Sequence, residues 1–393
     1  MKLWREFRIF LAVLLACWLA CPVARALVTL NDGHDRINAS TSFSVSRDSN
    51  IFASSADAGD FVYAAGLSLT YQRRAGWIGV NAGVSMGASR FGKHTSQNFS
   101  NPSYSLELTK QSGRTTGSLS LSAARESRAD AAVNFRNQSW NYNAGLNLRY
   151  PIRGRSTLTG GFAYSNRLYT STTALASLAT YSACFDYIHL LPRERDLILG
   201  YRYRASETSR HSSYADHSLS TGTSVRLIGG INGTLRAGFQ TRLPSGAAKK
   251  EASSRSWSGS GSAARALTRK VNLRASMAKD FSTTATDSTV DNLSTTFDAQ
   301  YAYSAKWSLS ASSGWGASRF LGESGRVVLA QGSTPILGPN RHDDYANWGA
   351  SLSYSRSKHL SLSLGYTWFE SWSTVPIADF IRTAWNFSMS SSW

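Results

Sequence analysis

Apolar side chains stand at every second position over stretch after stretch of this chain. Phe61, Tyr63, Ala65, Leu67, Leu69 and Tyr71 share one parity, and after the turn RRAG the pattern resumes at Ile78, Val80, Ala82, Val84 and Met86. It returns at Tyr104, Leu106 and Leu108, at Leu119, Leu121 and Ala123, and at Tyr181, Ala183, Phe185 and Tyr187. Late in the chain it runs through Trp348, Ala350, Leu352 and Tyr354, then Leu360, Leu362, Leu364, Tyr366 and Trp368. A repeat of two belongs to strands, whose successive side chains leave on opposite faces. No helical three-and-four spacing competes over a comparable length.

Counting the weaker segments around Phe43, Phe162, Leu219, Trp257, Leu273 and Leu309 gives about eighteen strands, an even number as single-chain bacterial membrane barrels have. Short connections at RRAG (73–76), SGRT (112–115), PIRGR (151–155), LPRER (191–195), GGING (229–233), LTRK (267–270), SAK (304–306) and SRSK (355–358) alternate with longer polar ones. The longer ones are read at 91–102, 125–138, 205–215, 242–254 and 319–344. Strict alternation of short and long connections is that of an up-and-down barrel with tight turns at one end and loops at the other. A strand tilted in a bilayer crosses the hydrocarbon in roughly 9 to 11 residues, which most segments match. Seven prolines, at 102, 151, 192, 244, 335, 339 and 376, are assigned to connections, where a lost donor breaks no ladder.

The stretch WNYNAGLNLRY, Trp140 to Tyr150, condenses the pattern. Its apolar positions suit lipid tails, Trp140 and Tyr150 suit the two headgroup levels, and Asn141, Asn143, Gly145, Asn147 and Arg149 suit a wet interior. A half-buried strand of a soluble sandwich would read the same in isolation. The rest of the chain favours the membrane. It opens with Lys2, Arg5 and Arg8 before an apolar run from Ile9 to about Ala20, too short for a spanning helix, which needs roughly 20 residues. Ala24-Arg25-Ala26 then offers a small-x-small cleavage site, so residues 1–26 read as a secretory signal and 27–393 as one exported domain. A lipoprotein signal ending at Cys17 or Cys21 is the competing reading. Past the signal only Cys184 remains, which excludes a disulfide framework.

The expected fold is therefore all-β: a transmembrane up-and-down antiparallel β-barrel of about 18 strands, with 16 to 18 as the range that leaves an aqueous channel. The first strand is expected near Ile37, leaving no room for a plug domain. Net charge is +18; the signal holds four Lys/Arg and one Glu, leaving +15 on the exported part. That balance suits anionic partners: solutes, polysaccharide, or the lipids and lipopolysaccharide of an outer membrane. Nucleic acid is no partner for an exported chain.

The last strand, AWNFSMSSSW, resembles the C-terminal strand recognised by the outer-membrane assembly machinery, with Trp385, Phe387, Met389 and Trp393 as the signal; the usual terminal residue is Phe, and Trp393 departs from it. SVSRDSNIFAS (44–54) followed by DFVYAAGLSLTYQRRAG (60–76) resembles the start of the β-barrel porin type 2 family, whose DSN-I/V-F loop is matched here by Asp48, Ser49, Asn50, Ile51 and Phe52. Hairpins similar to that family's recur at 145–164 and 350–368. The resemblance implies an outer-membrane barrel and, since members are associated with exopolysaccharide production, a link to that process.

Candidate chemistry is sparse. None of the seven His residues stands in a nucleophile–base motif, so no enzyme is read. Asn31-Asp32-Gly33-His34-Asp35 and His342-Asp343-Asp344 lack regular ligand spacing, so no metal or other cofactor is expected. Arg149, Arg202, Arg204, Arg226, Arg236 and Arg274 take the interior parity, against Glu107, Asp186 and Asp298. Rings of Arg bias a pore toward anions; the same residues paired with lumen acids would only brace the wall. Gly322 to Asp344 is read either as an inward constriction or as an outward loop. Two functions stay open: a passive, anion-leaning diffusion channel, and a narrow or plugged structural component of a polysaccharide export system. The solute and the oligomeric state are not legible.

Overall fold

Alternation over this many segments leaves one arrangement in which every buried backbone group finds a partner, a sheet closed on itself. The computed structural model describes residues 28–74, 76–130, 135–170, 175–192, 195–227, 230–321, 327–328, 336–337 and 341–393. The expected signal, residues 1–26, lies outside them.

Eighteen barrel strands run antiparallel in sequence order: β1 (Asp35–Asp48), β2 (Asp60–Arg73), β3 (Gly79–Phe91), β4 (Phe99–Lys110), β5 (Thr116–Asp130), β6 (Phe135–Arg153), β7 (Ser156–Tyr169), β8 (Leu178–Leu191) and β9 (Arg195–Thr208) form one half. The other half is β10 (Ser212–Leu227), β11 (Ile231–Gly246), β12 (Ser254–Ala266), β13 (Val271–Thr283), β14 (Thr289–Ala302), β15 (Trp307–Leu321), β16 (His342–Ser355), β17 (Leu360–Ser373) and β18 (Phe380–Ser392). β1 pairs with β2 on one side and β18 on the other, with Ser44 opposite Ser388 at the seam. Backbone bonds between Ala39 and Trp393, 2.9 and 2.8 Å, finish the closure. Before β1, Val28–Leu30 doubles back on it through a turn at Asn31–Gly33 and pairs with Asp35 to Ile37. No plug domain is present among the described residues.

Tight turns sit at the end of the barrel where β1 starts and β18 finishes, and three of them place Gly76, Gly113 and Gly230 at φ of 91°, 90° and 76°, where a side chain would be strained. The other end differs from expectation. The connections read at 125–138 and 205–215 are mostly strand, that at 242–254 is strand as far as Gly246, and barrel strands run 12 to 19 residues rather than 9 to 11. Polar alternation had been taken for loop, but beyond the hydrocarbon a strand needs no apolar face, so these ribbons continue past it. Three prolines accordingly lie in strands. Pro102 and Pro244 stand where the ladder has a partner on one side only, and Pro151 stands at a register shift in β6.

Chemistry follows the two faces. The outer wall exposes Leu219, Leu235, Phe239, Leu364 and Trp385, with Phe239 79% accessible, which is tolerable only against an apolar medium. Inward positions are largely Ser, Gly and Asn, interrupted by charge. Trp307 packs on Tyr354, ring centroids 4.6 Å apart, at the turn end, and Arg114 lies 4.7 Å over the Tyr150 ring, as expected of a headgroup-level girdle.

Candidate functional site

The inner wall is not uniform, because the ladder opens twice at the loop end. Pairing of β12 with β13 stops at Gly259 and Lys279, and pairing of β4 with β5 stops at Ser103 and Ala124. Past these points the β13–β14 and β5–β6 hairpins lean into the barrel. Their lipid-parity side chains then meet the inner wall. Phe281 is buried beneath the Arg242 guanidinium, 5.4 Å from its ring, and Arg136 covers Phe91 and Phe99 at 4.9 and 5.4 Å.

The β13–β14 hairpin is held by charge. Asp216 of β10, 2% exposed, accepts Nε and Nη2 of Arg242 at 2.6 and 2.7 Å and Nε of Arg204 at 2.8 Å. Arg204 reaches on to Asp280 at 3.1 Å and to the Phe281 carbonyl at 2.5 Å, while Arg202 donates to Asp280 at 2.8 Å. Arg242 also donates to the Ser282 carbonyl at 2.9 Å. At the tip, Asp287 has φ 66° and accepts the Ser212 hydroxyl at 2.7 Å; Ala285 accepts the Ala176 amide at 2.8 Å. A polar cavity of about 500 Å³ separates the tip from inward residues of β5 to β7, among them Glu126, Asn143 and Arg167. The tip therefore narrows the mouth of the lumen.

Of the six arginines read as lumen candidates, Arg202 and Arg204 belong to this latch. Arg236 makes a two-pronged bond to Asp186, 2.9 and 2.9 Å, across the face of Gly200; a Cβ there would collide with Asp186 Oδ1. Arg149 and Arg274 are exposed toward the turn end, with Arg274 beside Asp298 in register. Arg226 is in β10, opposite Asn232, and its side chain lies outside what is described. Three of the six thus brace the wall, and two are exposed.

From β15 round to β1 the wall is different. Ser310 bonds Ser351, Ser361 bonds Ser390 and Ser363 bonds Ser388, each at 2.7 Å, and Ser40, Ser42 and Ser44 continue the face. Charges appear there only near the ends. The DSN-I-F segment closes the loop end of the seam: Arg382 donates to Asp48 at 2.6 Å, Ser49 exchanges bonds with Thr383, and Asn50 ties Ser54 and Ile381. Ile51 is fully buried against Phe91 and Phe99, and Phe52 meets the His94 ring edge-on at 5.5 Å. Trp385, Phe387 and Met389 keep the outward parity opposite Arg47, Val45 and Phe43.

Several residues escaped sequence reading. Arg242 was lost in the segment 242–254, taken for loop, and Asp216 and Asp280 were not singled out, although a charge on the interior parity of a strand is the signal that finds all three. Asp60 is another. It accepts the amides of Phe61, Lys93 and His94 and the His94 ring, and though burial pushes its carboxyl up, these donors hold it below the usual carboxylate range. The segment 322–344, read either as an inward constriction or as an outward loop, lies largely outside the described residues; only the short pair Val327–Val328 and Ile336–Leu337 and residues from 341 onward are described. In the two Asp/His clusters, Asn31 bonds Asp35 and His342 pairs with Asp344 at 3.2 Å. No metal-holding group of three ligands occurs among the described residues.

No protein-family model matches the sequence, and no curated protein matches it. Solved structures do. OccK5 (OpdH) of Pseudomonas aeruginosa is similar at 14% identity over 93% of this chain and 100% of that one, with a TM-score of 0.50. OccK2 (OpdF) of the same organism, in complex with glucuronate, is similar at 12% identity over 91% of this chain and 98% of that one, with a TM-score of 0.49. OccAB3 of Acinetobacter baumannii gives 10% identity over 91% and 99%, with a TM-score of 0.48. At such identity the likeness speaks to architecture, and the architecture it shares with OccK5 is the closed antiparallel barrel.

Proposed function

We propose that this protein is a passive diffusion channel of the outer membrane, leaning toward anions. The observation that carries the reading is a closed eighteen-strand wall, apolar outside and hydroxyl- and charge-lined inside. A cylinder of that strand number encloses an aqueous lumen. Arg149 and Arg274 supply exposed positive charge below the constriction, and the exported part carries an excess of Lys and Arg. The resemblance to the β-barrel porin type 2 family, and with it a place in exopolysaccharide production, is part of this proposal. Planar-bilayer recording tests it: stable conductance steps with anion selectivity, weakened by Arg149→Glu, support it, and a silent membrane with correctly folded protein refutes it.

The inward hairpins favour a second reading, a narrow structural component of a polymer export system. Liposome swelling separates the two. Entry of small sugars supports the channel; exclusion of all of them, with co-purification of polymer, supports the second.

A further inference from the structure

We propose that Arg202 and Arg204 form a subsite for the carboxylate of a passing solute, and that Asp280 occupies this subsite as a tethered stand-in whose displacement frees the β13–β14 hairpin. The inference rests on the channel reading above. The two carboxylates on these arginines are unequal. Asp216 is 2% exposed and fixes both Arg204 and Arg242, whereas the Asp280 side chain is 32% exposed and that of Arg202 37%. Remove Asp280, and Asp216 still aims Arg204 into the lumen beside Arg202, a pair of forked donors matched to a carboxylate.

The hairpin is built to leave. Its ladder to β12 ends at Lys279, one residue before Asp280, so on that side a hinge breaks no backbone ladder, only side-chain bonds such as Arg242 to the Ser282 carbonyl and Ser256 to Asp291. On the other side β14 stays paired with β15 as far as Thr289, and the two move together. Its packing against the wall buries Gln240 with neither amide atom bonded, and leaves Asp287 Oδ1 without a partner among the described residues. Unsatisfied buried groups disfavour the closed state and are relieved by water when it opens. Access exists too. A cavity of about 300 Å³, lined by Asp186, Ser218, Arg236 and Ser258, reaches Arg202 and the Asp280 bonded to it. An anionic group entering it competes with Asp280 on equal chemical terms, and only differential affinity for the open state can shift the balance.

The experiment uses the full barrel in planar bilayers, with sodium acetate replacing chloride at constant ionic strength. Acetate raises the open fraction of the wild type about tenfold, the equivalent of one charge-assisted hydrogen bond. Asp280→Asn is open to a similar degree without acetate and responds to it no further, while Asp280→Glu gates like wild type. In a Cys184→Ser background, Ser212→Cys with Asp287→Cys holds the hairpin shut in acetate until reductant is added. Heat-modifiable migration on gels verifies that each variant is folded. A conducting channel whose gating is unchanged in Asp280→Asn, or that opens in acetate with the disulfide formed, overturns this inference and leaves the channel reading standing. No conductance in any variant overturns both.

Discussion

Two arcs of one barrel share strand geometry and differ in what they point inward. From β15 to β1 the wall offers serine hydroxyls that bond across strands to one another, and the described ladder there has no comparable hairpin in the lumen. From β8 to β14 it offers Asp186, Arg202, Arg204, Asp216, Arg236 and Arg242, and here the sheet splits and a hairpin folds inward. Short hydroxyls satisfy themselves within the sheet. Long charged side chains need partners across space, and the hairpin supplies Asp280 and the carbonyls of Phe281 and Ser282. Charge on the inner face is what turns a smooth wall into a constricted one.

Substitutions of graded severity sharpen the contrast. Asp216→Ala leaves Arg204 and Arg242 short of their shared anion, and breaking a buried pair in this way destabilises by about 3–5 kcal/mol; the heat-modifiable gel shift moves to markedly lower temperature. Gly200→Val drives a side chain into the Arg236–Asp186 bond, and overpacking of this kind costs about 1–3 kcal/mol. It is read in the same assay. In the serine arc, Ser363→Ala loses one hydroxyl bond to Ser388, worth about 1 kcal/mol or less, and leaves conductance unchanged. A Ser363→Ala loss as large as that of Asp216→Ala would erase the distinction between the arcs.

The smallest effect is local and pH-dependent. Asp60 titrates below its unfolded value, so its stabilising bonds to Lys93 and His94 are fully present above the ordinary carboxylate range and are lost as pH falls through the depressed folded value. Amide exchange at Lys93 and His94, corrected for intrinsic rates, is expected to be slow at neutral pH and to lose protection in strong acid. Equal protection at both would contradict this role.

Strand number, closure and the outward parity were legible because lipid enforces alternation at every crossing; Leu67, Leu69, Val84 and Met86 had nowhere else to point. The ends of the strands were not legible, since above the hydrocarbon no apolar face is required. That blindness hid Arg242, in the segment 242–254 read as loop, and Asp216, one residue past the segment 205–215. Parity itself misleads there: Phe281 and Arg136 follow the lipid-facing count yet lie over the inner wall, because a hairpin that leans inward turns its outer face onto its neighbours. Pro102 and Pro244 were the marks of those one-sided ladders.

The central claim is a closed barrel whose lumen is narrowed by the β13–β14 hairpin. Single-channel conductance of the wild type beside a chain with residues 284–288 replaced by two glycines tests it most directly. A several-fold larger step in the shortened chain, with the anion preference retained, is the expected result. Steps of equal size would place the constriction elsewhere and contradict the account.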